Sequence, residues 1–149
     1  MKDNTYTATV TRRLRSSQNT VWRALTSPEL IKTYFFGTEA VSSWHVGSPI
    51  IFRGEWEGKP YEDKGTILEN IEGKMLRYNY WSSFSGTEDK PENYAVVTYE
   101  VIPEGDETIL IISQDSIASS EAKDHSEKNW NMILDGLEKL VQREGRQKG

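Results

Sequence analysis

Between Ser119 and Arg143 the apolar residues fall at Trp130, Ile133, Leu134, Leu137, Leu140 and Val141. These gaps follow the series i, i+3, i+4, i+7, which gathers them on one stripe of an α-helix. Lys128, Asn129, Asp135, Glu138, Lys139 and Gln142 fall on the other faces, where they suit water. No proline interrupts the stretch. Ser119 or Ser120 can cap its first backbone N–H groups, and Glu121 suits the positive end of the helix dipole. Lys139, Arg143 and Arg146 suit the negative end. Gly136, in mid-helix, costs roughly 1 kcal/mol against Ala, a cost that a close backbone approach would offset. At about 1.5 Å per residue such a helix is on the order of 36 Å long. An apolar stripe of that length needs a broad apolar surface to lie on, and the chain before it has to supply one.

That chain reads mostly as strands. Tyr6 to Leu14 sets Tyr6, Ala8 and Val10 against threonines, a period of two. Ser16, Ser17 and Asn19 form a capping cluster before a short helix over Thr20 to Thr26, with Val21, Trp22 and Leu25 on one side. Ser27 as N-cap, Pro28 at the first position and Glu29 in the first turn start a second helix to about Tyr34. Strands are then expected over Thr38 to Trp44, Ile50 to Trp56, Tyr61 to Ile71, Met75 to Trp81, Tyr94 to Ile102 and Thr108 to Ser116. Gly65 marks a candidate bulge. Glu72-Gly73 reads as a two-residue hairpin turn, and Pro103 to Asp106 as another turn. Ser82 to Asn93 is polar and long, which predicts a mobile loop near a cavity mouth. The order is one strand, two short helices, six strands and one long helix. Successive strands with short turns imply an antiparallel sheet, an α+β fold with a curved sheet closed over the last helix.

With 149 residues the chain suits one domain, 1–149, with its core at about 6–142. A net charge of -5 argues against nucleic acid as a partner, because phosphate binding wants a basic face. Cysteine is absent, which fits a reducing cytoplasm and excludes disulfide and thiolate chemistry. Met1 to Thr9 has no apolar signal-like core, and no apolar run approaches the ~18 residues of a membrane span. A cytoplasmic protein with no membrane partner is expected.

The run Val21-Trp22-Arg23-Ala24-Leu25-Thr26-Ser27-Pro28-Glu29-Leu30 resembles the first-helix signature of a known family. That family is the branch of the START-like (SRPBCC) superfamily named for the heat-shock-protein-90 ATPase activator homologue. Trp44, Gly47, Gly65 to Glu69, Leu76 to Tyr78, Val97 to Tyr99, Thr108, Leu110, Ile112 and Trp130 fit the same pattern, over roughly residues 6 to 142. Tyr34-Phe35-Phe36 stands where the branch often has a Trp pair, and Glu72-Gly73 where it often has a proline. The resemblance implies the helix-grip fold, β-α-α-β6-α, with a cavity between the sheet and the C-terminal helix where many such proteins bind hydrophobic small molecules.

The residues themselves offer little catalytic chemistry. There are two histidines, His45 and His125, with no further ligands at metal spacing. Neither GxSxG, a P-loop nor GxGxxG occurs. Glu55 with Glu57, and Asp63 with Glu69, read as solvated strand faces. No catalytic residue, metal or cofactor is assigned. Five Trp and seven Tyr are the more informative feature. Strict alternation turns Phe52, Trp56, Tyr78, Tyr80 and Tyr99 inward with Trp130, and leaves Arg77 outside. These rings either fill a core or, with Gln114 and Leu134, line a pocket in which hydroxyl and amide groups orient a ligand. Three functions compete. One is non-enzymatic binding of a small hydrophobic molecule. A second is a protein-interaction domain like the co-chaperone that names the branch. The third, disfavoured by the missing acid–base set, is a cyclase-type enzyme.

Overall fold

A computed structural model of the protein describes residues 5–35, 37–82 and 88–147, without the side chains of Trp56 and of residues 144–147. The first strand, β1 (Tyr6–Leu14), buries Ala8, Val10 and Leu14 and leaves its threonines exposed. Tyr6 departs from the expected alternation. The register against the last strand shifts between Tyr6 and Ala8, and Tyr6 is exposed. Helix α1 (Gln18–Thr26) starts at Ser17, whose Oγ accepts from the Thr20 N–H at 3.2 Å. Helix α2 (Pro28–Tyr34) has Ser27 before it and Pro at its start, as the sequence predicts.

Six strands follow: β2 (Glu39–Ser42), β3 (Pro49–Trp56), β4 (Lys59–Ile71), β5 (Met75–Trp81), β6 (Ala95–Glu104) and β7 (Glu107–Ile117). With β1 they form one seven-stranded antiparallel sheet in the order β1-β7-β6-β5-β4-β3-β2. Each strand except β1 lies beside its sequence neighbour, and β1 closes the row against β7. The turn after β4 is one residue longer than expected: Ile71 pairs with Met75, so Glu72, Gly73 and Lys74 form the loop. The turn after β6 is shorter, because Glu104 pairs with Glu107. Of the predicted mobile loop, residues 83–87 lie outside the described residues, and Pro91–Asn93 makes a single 3-10 turn. Gly65 in β4 is required by a close approach. A Cβ there would sit 1.6 Å from the Asn79 carbonyl oxygen of β5.

Helix α3 (Ser120–Gln147) lies across the concave face of the curved sheet. Ser119 Oγ accepts from the Ala122 N–H at 3.1 Å and caps it. Trp130, Ile133, Leu134, Leu137, Leu140 and Val141 are all buried, so the stripe faces the core as predicted. Gly136 abuts α2: a Cβ would come within 3.1 Å of the Tyr34 Cβ. The far end is fastened by polar groups. Ser16 Oγ donates to the Val141 carbonyl at 3.2 Å, and Thr108 Oγ1 donates to the Ser16 carbonyl at 2.7 Å. Arg12 reaches Glu138 at 2.7 Å and Asp135 at 3.0 Å, so these two helix carboxylates pair with β1 while Asp135 stays open to water. Partial burial disfavours the Arg12 charge, but the hydrogen bonds it donates to Glu138 and Asp135, with their negative charges, outweigh it and raise the pKa. Among the described residues, no helix is long and apolar enough to cross a membrane.

Candidate functional site

Helix α3 rests on β1 and β7 and on the two short helices. The other arm of the sheet, β3 to β5, curves away from it, and Phe35 at the end of α2 enters the gap. Filling is incomplete. A cavity of about 190 Å³ remains, lined by Phe35, Phe52, Asp63, Tyr78, Tyr80, Gln114, Ser126, Asn129, Trp130 and Ile133. Exposed Asn129 and half-buried Ser126, on the first half of α3, border the side nearest solvent.

Register explains which strand residues converge. Phe52 of β3 pairs with Asp63 of β4, and Gly65 pairs with Tyr80 of β5. Tyr78 pairs with Val97 of β6, and Val97 with Gln114 of β7. Directly paired residues share a face of the sheet, so all of these point towards α3. The rings touch in sequence around the cavity. Trp130 meets Phe35 edge-on at 6.1 Å between centroids, Phe35 stacks on Phe52 at 5.7 Å, Phe52 leans on Tyr78 at 5.8 Å, and Tyr78 on Tyr80 at 6.5 Å. These tilted and offset contacts suit aromatic quadrupoles.

Several polar atoms in and behind this apolar wall hold one another in place. The Trp130 indole N–H donates to Gln114 Oε1 at 2.9 Å. The Tyr78 and Tyr99 hydroxyls bond each other at 2.7 Å, and the Tyr34 hydroxyl donates to the Ala24 carbonyl at 2.8 Å. Burial disfavours phenolate and holds the pKa of Tyr34, Tyr78 and Tyr99 above the ordinary phenol value. Tyr80 is pushed up to about 12, first by burial and then by the negative charge of Asp63. All four are therefore neutral hydroxyls near pH 7.

The sequence-predicted residues divide. Phe52, Tyr78, Tyr80, Gln114 and Trp130 line the cavity. Tyr99 lies behind Tyr78 and supports it through its hydroxyl and an edge-to-face contact at 5.6 Å. Leu134 is fully buried in the core beneath. The side chain of Trp56 lies outside the described residues. Asp63 overturns its reading as a solvated strand residue, because it lines the cavity. Its position was available in the sequence: Asp63, Gly65 and buried Ile67 share one face of β4. Phe35, Ser126, Asn129 and Ile133 also belong to the lining and were not singled out. Phe35 had no periodic signal, since it follows the last turn of α2. Among the described residues no three His, Cys, Asp or Glu side chains gather as a metal site. His45 and His125 are exposed.

Residues 15–142 match the protein family described as Activator of Hsp90 ATPase homolog 1-like protein. The chain belongs to this family. The match takes in the Val21 to Leu30 run that first pointed to it. Among solved structures, this family member is similar to protein ChR145 from Cytophaga hutchinsonii, with 42% identity and a TM-score of 0.82, covering 93% of this chain and 95% of that one. It shares its fold with protein MLL2253 from Mesorhizobium loti, at 23% identity and a TM-score of 0.76, over 93% and 98% of the two chains. The Aha1 dimer from Colwellia psychrerythraea has the same fold at 13% identity and a TM-score of 0.71, over 91% and 96%. No curated protein gives a significant match.

Proposed function

We propose that the protein is a non-enzymatic binder of a small hydrophobic molecule held between α3 and strands β3 to β5. The observation that carries this is the cavity of about 190 Å³ inside a ring of mutually touching aromatics, where a filled core would leave none. The volume bounds the ligand. A dry void of about 150 Å³ accepts a benzene, whereas pockets for drug-sized ligands span about 300–1,000 Å³. A molecule with one ring, or an aliphatic group of that size, fits; a sterol does not. Tyr78, Tyr80 and Gln114 supply the few polar contacts that orient it. Native mass spectrometry of the purified protein is expected to show a co-purifying small molecule. Calorimetry with single-ring compounds is expected to show one-to-one binding with a negative heat-capacity change. Absence of stoichiometric binding by any such compound at millimolar concentration overturns the reading.

A co-chaperone-like interaction domain is the second reading. It is supported by the family's description and by a surface hollow bordered by Trp22, Trp44, His45 and exposed Val46. It predicts a faster Hsp90 ATPase when the protein is added; an unchanged rate at saturating protein sinks it.

A further inference from the structure

Strand register sets Gln114 of β7 in one row with Val97 and Tyr78, facing α3, and its half-buried side chain lines the cavity. Trp130 of α3 donates its indole N–H to Gln114 Oε1 at 2.9 Å. An indole N–H only donates, so the end of the amide that meets it has to be the oxygen. This contact fixes the orientation of the whole planar group and turns its NH2 end, with two N–H donors, away from Trp130. Among the described residues no other protein group partners the Gln114 side chain. The neighbouring polar groups of the lining are less committed. Asn129 is exposed and Ser126 half-buried on the side nearest solvent, where water serves them. The Tyr80 hydroxyl donates or accepts according to what it meets. Gln114 has its acceptor taken and its donors left over. Donors held among aromatic rings favour an acceptor, because leaving them unmet there costs more than it does in water.

We propose that Gln114 is the polar anchor of the cavity, and that the ligand is a compact apolar group bearing a carbonyl oxygen, which accepts from the Gln114 Nε2–H while the apolar part lies among the rings. This rests on the ligand-binding reading and names the chemical class of the ligand. A carbonyl oxygen has lone pairs and no proton of its own, so it meets these donors without asking Gln114 for an acceptor. A hydroxyl brings a further donor to a group whose oxygen Trp130 already occupies. A hydrocarbon leaves the NH2 end unmet.

Acetophenone, isopropenylbenzene and α-methylbenzyl alcohol test the idea, because they share one ring and nearly one shape. Where the first has its carbonyl oxygen, the second has a CH2 group and the third a hydroxyl. Calorimetry compares them in the wild-type protein and in Gln114→Met, which keeps a side chain of similar length and a weak sulfur acceptor for Trp130 but has no donor. Acetophenone is expected to bind at least about fivefold more weakly to the variant, and α-methylbenzyl alcohol to lose less. Isopropenylbenzene is expected to stay within about twofold, which also shows that the cavity of the variant is intact. Circular dichroism monitors the fold of the variant, and a measurement on the wild type stands without it. The carbonyl carbon of isotope-labelled acetophenone in the complex is expected to resonate downfield of its position in a hydrocarbon solvent, as a hydrogen-bonded carbonyl does. Equal weakening of acetophenone and isopropenylbenzene in Gln114→Met, or a bound carbonyl that resonates as in hydrocarbon, overturns the anchor and leaves the cavity as a ligand site. An alcohol that loses as much as the ketone overturns the carbonyl preference. Failure of all three probes to bind overturns the ligand reading and the carbonyl inference with it.

Discussion

Tyr78 lines the cavity and its hydroxyl bonds the Tyr99 hydroxyl at 2.7 Å, so removing the hydroxyl alters packing behind the cavity wall. Tyr78→Phe leaves a buried Tyr99 hydroxyl without that partner, which is expected to cost about 1–3 kcal/mol of stability. Tyr78→Phe with Tyr99→Phe removes both hydroxyls and is expected to cost less than the sum of the single changes. A double-mutant cycle by urea denaturation measures the difference; strict additivity contradicts a structural bond between the two. Tyr80 is the cleaner probe of binding, because it is only half-buried and its ring rather than its hydroxyl meets Tyr78. Trp130 combines both roles on α3. It is 7% exposed, touches Phe35 and Tyr99, and donates to Gln114. Trp130→Ala is expected to destabilise by about 3–5 kcal/mol, the cost of emptying a large buried site. A loss below about 1 kcal/mol would mean that the indole contributes little to the core.

At the scale of elements, α3 illustrates how a local rule yields to packing. Gly136→Ala would gain about 1 kcal/mol of helix propensity in an isolated helix. Here the added methyl meets Tyr34 of α2 at 3.1 Å, so no such gain is expected and the melting temperature should stay level or fall. A rise of several degrees would show that α2 and α3 can separate freely at this point. Helices and strands were largely legible beforehand because their periods are local properties: the six-residue stripe of α3 and the whole of β5 stand where spacing put them. Tyr6 was misplaced because a register shift depends on the partner strand, β7, which no local pattern contains. The cavity was legible in part for the same reason. Alternation turned Phe52, Tyr78 and Tyr80 inward, but whether Tyr99 or Tyr78 reaches the void depends on how far α3 stands from each strand. Asp63 was passed over because carboxylates usually mark solvent, and only the curvature of β3 to β5 makes a gap beside it.

Over the whole molecule, the buried phenols make the fold sensitive to alkali. Tyr34, Tyr78 and Tyr99, which are buried, and half-buried Tyr80, which packs against them in the core, come from α2, β5 and β6. Each has a folded-state pKa above the ordinary phenol value of 10.0, chiefly through burial. The sign follows from proton counting. Below pH 10 both folded and unfolded chains keep these protons, and the stability they contribute is fully present. Above it the unfolded chain loses protons that the folded chain retains, so the unfolded state is favoured with each further rise in pH. For Tyr80 this loss runs on until its own pKa of about 12 is passed. Stability is therefore expected to be flat towards pH 10 and to fall steeply above it, with the four phenols ionising together as the core opens. Phenolate absorbance and circular dichroism followed in one titration measure this. Coincident, cooperative transitions above pH 10 are the expected result. Smooth ionisation of every tyrosine near pH 10 with the helix signal intact would show that the four hydroxyls are open to water, and that the core around the cavity is not closed as described.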